Sequence, residues 1–72
     1  MAELRVDSNR WRVLRAIDDG ARTEAQAATA TGLTRARVRT ALNNLRYRGL
    51  AHRKNDALRT TDRGRASLRA VA

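Results

Sequence analysis

Apolar residues recur along this chain with the spacing of helices, and the clearest run lies between Thr34 and Gly49. Val38, Ala41, Leu42 and Leu45 fall on one stripe at about 100° per residue. Ala36, Thr40, Asn43 and Tyr47 project to the opposite side, with Arg37, Arg39 and Asn44 on the flanks. Thr34 suits an N-cap and Gly49 suits the left-handed position just past a C-terminus, so the pattern predicts a helix over about 34–48. Upstream, Val13, Leu14, Ala16 and Ile17 mark a first helix that Asp7 or Ser8 caps and that ends near Asp19, with Trp11 at the edge of the core. Thr23-Glu24-Ala25-Gln26 has the spacing of a capping box, in which Gln26 reaches back to the cap. It opens a helix to about Ala30 that is almost all alanine and can pack closely.

After Gly49 the period changes. Leu50–Lys54 and Ala57–Thr60 read as two short strands around Asn55-Asp56, residues that tolerate tight-turn backbone. The tip of that hairpin displays Arg53, Lys54 and Asn55. Thr61 caps a last helix expected to turn Ala66, Leu68 and Val71 to the core, and Gly64 inside it permits a close approach. Residues 1–7 carry no strong pattern; Leu4 and Val6 are expected to pair, pack or fray. There are no repeats, linkers or low-complexity tracts, so residues 1–72 read as one domain, mainly α with a small β-hairpin.

Composition narrows the function. Sixteen basic residues, all Arg except Lys54, stand against seven acidic ones, for a net charge of +9. That excess points to a polyanionic partner, since phosphate neutralisation dominates the affinity of nucleic-acid binders. Arg and Asn on the polar face of the third helix are the side chains that pair with guanine and adenine edges in a major groove. Cys is absent, no run has the length of a membrane span or signal peptide, and a soluble, cytoplasmic protein is expected, nucleoid-associated when bound to DNA.

No enzyme, metal site or cofactor is expected. His52 is the single histidine, and the acids Glu3, Asp7, Asp18, Asp19, Glu24, Asp56 and Asp62 form no convergent constellation. A Gly-rich phosphate loop is also missing.

A short helix, a turn containing Gly32 and a second capped helix make a helix-turn-helix arrangement. Three local motifs extend it. Thr31-Gly32-Leu33-Thr34 followed by Val38 and Leu42, then Leu45-x-x-x-Gly49-Leu50, then Thr61-Asp62-Arg63-Gly64-Arg65 resemble the winged helix-turn-helix domain of MarR-like regulators, over roughly residues 8–71. The resemblance implies a three-helix core, a wing and a short C-terminal helix. It also implies double-stranded DNA as partner and transcriptional regulation as role, with the third helix in the major groove. Thr34, Arg35, Arg37, Arg39, Thr40, Asn43 and Asn44 are then at or near DNA, with Thr40 and Asn43 nearest the bases and Arg39 on guanine or phosphate. Arg35 and Arg46 hold phosphates, Arg22 and Thr23 meet one at the start of the second helix, and Arg53 and Lys54 contact backbone or minor groove from the wing. Thr60 stands where the family has Leu, which predicts a less well packed wing base, and the long dimerising helices of larger members are missing.

One such module buries only about 600–1,000 Å² on DNA, so a homodimer is expected, with Leu4, Val6, Leu68 and Val71 as the apolar residues available for it. Two alternatives share the charge. One is an RNA- or ribonucleoprotein-binding winged helix, which the scarcity of aromatics disfavours as a single-strand reader. The other is a protein-interaction module of a larger assembly.

Overall fold

Each helix of the protein starts on a hydroxyl. Ser8, Thr23, Thr34 and Thr61 are extended residues whose side chains accept the amide of the residue three positions on: Trp11, Gln26, Arg37 and Gly64. They open α1 (Asn9–Asp18), α2 (Glu24–Thr31), α3 (Arg35–Tyr47) and α4 (Asp62–Ala70). The hairpin strands β1 (Ala51–Lys54) and β2 (Ala57–Thr60) lie between α3 and α4. The computed structural model describes residues 4–71; Met1 to Glu3 and Ala72, the outer ends of the expected domain, lie outside the described residues.

Helices α1 to α3 enclose an aliphatic core. The stripe Val38, Ala41, Leu42 and Leu45 of α3 is buried against Val13, Leu14, Ala16 and Ile17 of α1 and Ala27 of α2. Each fully buried Leu or Ile contributes about 2 kcal/mol by loss of apolar surface from water. Trp11 sits half-buried at the core edge, as its spacing suggested. Leu4 is also inside, at 1% exposure. A turn in which the Ser8 amide donates to the Arg5 carbonyl, with Asp7 left-handed, folds that segment back. The expected capping box differs by one residue: Gln26 accepts from the Arg22 amide at 2.7 Å, not from that of Thr23.

The wing pairs antiparallel in the register Ala51↔Thr60 to Lys54↔Ala57. Asn55 and Asp56, with φ of 52° and 62°, form the two-residue loop whose twist matches the strands. Leu50, Ala51 and Leu58 carry it into the core, and the Leu58 amide donates to the Arg22 carbonyl at 2.8 Å, a single rung onto the link between α1 and α2. Thr60 does not loosen the wing base. It is buried, its hydroxyl donates to Asp18 Oδ1 at 3.2 Å, and Arg65 Nη1 donates back to it at 3.3 Å.

Helix α4 corrects two expectations. Gly64, Ser67 and Leu68 form its buried face, Val71 packs half-buried beside them, and Ala66 is exposed. The rotation follows from Gly64, which approaches the Leu50 backbone so closely that a Cβ there would fall inside the van der Waals envelope of the Leu50 carbonyl. With residue 64 against the core, residue 66 lies about 200° round the helix. Leu4 and Leu68 are therefore spent on the core, and of the four residues expected to make a dimer only exposed Val6 and half-buried Val71 have surface to offer.

Gly64→Ala should destabilise the domain although Ala is the better helix former by about 1 kcal/mol, because overpacking against rigid backbone costs about 1–3 kcal/mol. A thermal midpoint lowered by about 5–10 °C is expected, and an unchanged or raised midpoint would show that α4 can move away freely.

Candidate nucleic-acid interface

Helix α3 buries its four apolar residues and leaves Ala36, Thr40, Asn43 and Tyr47 exposed along the opposite side. Thr34 caps its start and Arg48 its end, and Gly49 then turns the chain with φ 74°. The exposed row is small and polar until Tyr47, which is 92% exposed. The Thr40 hydroxyl donates to the Ala36 carbonyl at 3.1 Å, so its free lone pairs make it an acceptor outward. Asn43 makes no side-chain hydrogen bond among the described residues and keeps both halves of its amide free.

The two flanks differ. On one, Glu24 at the start of α2 reaches across to Arg39 at 3.2 Å and Arg35 at 3.9 Å. Its own side chain is only 19% exposed, so the carboxylate is held where both guanidinium groups can reach it. On the other, Arg10 Nη1 of α1 donates to Asn44 Oδ1 at 3.0 Å. A groove of about 460 Å³ runs there between α1 and α3, lined by Asn9, Arg10, Ala36, Arg37, Thr40, Ala41 and Asn44. Thus Thr34, Arg35, Arg37, Arg39, Thr40, Asn43 and Asn44 share one helix, but Arg35, Arg39 and Asn44 arrive already engaged.

The remaining candidates are spread out. Thr23 is exposed, with its hydroxyl capping α2. Arg46 is exposed near the end of α3, and Arg53 and Lys54 are exposed on β1 beside the wing tip. Arg22 belongs to the fold. Its Nη1 donates to the carbonyls of Ile17 (3.0 Å), Ala21 (3.2 Å) and Leu58 (3.4 Å), and its amide goes to Gln26, so neither the amide nor that edge of the guanidinium is open to a phosphate.

Two residues of this surface escaped the sequence reading: Arg10 and Glu24 had no local signal, because each meets α3 from another helix. Tyr47 was placed on the exposed side by its helical spacing but not counted among the contact residues.

The geometry is that of a winged helix-turn-helix, and a family model agrees: the winged helix-turn-helix family described as wHTH-PRTase associated matches residues 12–72. The chain belongs to this family. No curated protein and no solved structure matches the chain. The family description names a PRTase association and not MarR-like regulators. Among the described residues no helix is long and apolar enough to cross a membrane.

Glu24 and Arg39 should couple weakly, since Arg39 is 60% exposed and water screens the pair. A double-mutant cycle on Glu24→Gln and Arg39→Gln is expected to give about 0.5 kcal/mol at low salt and less in about 1 M salt. A coupling several times larger would mean the pair is a structural anchor of α2 on α3.

Proposed function

We propose that this domain binds double-stranded DNA with the exposed face of α3 in the major groove, as a small transcriptional regulator without catalytic activity. One observation carries the reading: a helix with Ala36, Thr40 and Asn43 exposed in a row, bordered by Arg35, Arg37 and Arg39, on a chain of net charge +9. Small residues let the helix backbone approach base edges, and the guanidinium groups neutralise phosphates and fix register. Arg46 extends the same grip, and the exposed cations Arg53 and Lys54 of the wing reach backbone or minor groove. In this reading the protein works in the cytoplasm on the nucleoid, with no cofactor. A homodimer on a repeated site remains part of the proposal, but its contact rests on Val6 and Val71 and not on Leu4 or Leu68.

A second reading has its own support. The family description couples this domain to a PRTase, which fits a module that docks in a larger assembly. The groove of about 610 Å³ between α1 and α2, with Trp11, Ala16 and Ala30 in its lining, lies off α3 and leaves it free for DNA. The two readings use different residues and are compatible.

Selection from a random duplex library at about 150 mM salt tests the first reading. A motif should be enriched, and Asn43→Ala should cost about tenfold in discrimination at one base while leaving affinity for unrelated duplex unchanged. Arg37→Ala should weaken all sequences alike and lower the salt slope by about one charge. Bound structured RNA outcompeting duplex, or no duplex bound at all, would sink it.

A further inference from the structure

Asn43 and Asn44 are adjacent on α3 and chemically identical, yet their surroundings differ. Asn43 is exposed and unengaged among the described residues, while Asn44 is half-buried and accepts from Arg10 across 34 residues of sequence. A guanidinium carries five donors and no acceptor. The end of the Asn44 carboxamide that faces α1 must therefore be its oxygen, and this orientation is set by chemistry and not by a choice of amide flip. The Nδ2 donors then point away from Arg10. Among the described residues the groove beside them is lined by two guanidinium groups, Arg10 and Arg37, and by no carboxylate. On the opposite flank Glu24 offsets Arg35 and Arg39.

We infer that Arg10 is a positioning residue that makes Asn44 a donor-only reader, so the two asparagines recognise different chemistry. Asn43 can pair with adenine, which asks one side chain to donate to N7 and accept from N6. Asn44 holds its oxygen towards Arg10, so the edge it turns away from α1 donates and selects a hydrogen-bond acceptor: guanine N7 or O6, adenine N7, thymine O4, or a phosphate oxygen. Groups that present a donor are repelled at this position by the Arg10 charge. This inference rests on the duplex-binding reading above.

The test uses the full chain and Arg10→Met, which keeps the apolar stem and removes the donors, with Asn44→Ala and Asn43→Ala beside it. Thermal melts establish that each variant folds. In the free protein, the side-chain amide resonance of Asn44 should shift in Arg10→Met while that of Asn43 stays; an unmoved Asn44 signal would remove the Arg10 bond and the inference with it. In duplex selection, cytosine, whose N4 amino group is a donor only, should be disfavoured at the position facing Asn44 for the native chain. Arg10→Met, which frees the Asn44 oxygen to accept, should admit cytosine there, a change of about fivefold, with the neighbouring Asn43 position unaltered. If phosphate is the acceptor, base preference stays constant. A single methylphosphonate should then weaken the native chain about fivefold and leave Asn44→Ala unaffected. Duplex binding by the native chain with no effect of Arg10→Met in either arm overturns the inference alone. Absence of duplex binding with the amide shift intact overturns the DNA reading, and the inference falls with it.

Discussion

The wing and α4 both depend on the approach of Gly64 to the Leu50 carbonyl. At that point the chain leaving α3 and the chain entering α4 meet with no side chain between them. The Thr61 amide donates to the Leu50 carbonyl at 3.1 Å, and its hydroxyl donates to the Gly49 carbonyl at 2.7 Å while accepting from Gly64. Both ends of the hairpin are thereby pinned in one place. Strands of four residues rich in Arg are marginal on their own, so the root holds the wing more than its ladder does. The same contact fixes the rotation of α4, which puts Leu68 in the core and Ala66 in water.

Two of the scarce carboxylates reach between elements: Asp18 of α1 accepts from Thr60 of β2, and Glu24 of α2 meets Arg35 and Arg39 of α3, whereas Asp62 pairs with Arg65 within α4. Arg22 performs a comparable task with donors alone, gathering carbonyls from the end of α1, the link and β2. Among the described residues no ion pair engages Arg37, Arg46, Arg53 or Lys54. Those cations repel one another in the free protein, and a polyanion relieves that repulsion. Structure and candidate binding surface are thus built from the same residue type, and only burial and partners separate an Arg that holds the fold from one that is open.

Much of the architecture was legible because it is local. Caps act over three residues, the apolar stripe of α3 over eight, and the Asn55-Asp56 turn over two, so each can be read without knowing what surrounds it. The three motifs that resemble a winged helix-turn-helix are also short, and two of them, Gly49-Leu50 and Thr61–Gly64, turn out to touch. The candidate site was legible only as a helix face. Its exposed row followed from periodicity, whereas the state of each polar group on it did not.

The sequence by itself determined the elements, their order, the buried stripe of α3 and the sign of the protein's net charge, because these depend on spacing within a turn or on summed composition. Tertiary structure decided which cations are free, that Leu4 and Leu68 belong to the core, which way α4 faces, and how Asn44 is turned. Those outcomes join residues such as Arg10 and Asn44, Asp18 and Thr60, or Arg22 and Leu58, each pair more than 30 positions apart. A contact of that kind has no period in the sequence; it exists only once packing has brought two elements within hydrogen-bond reach.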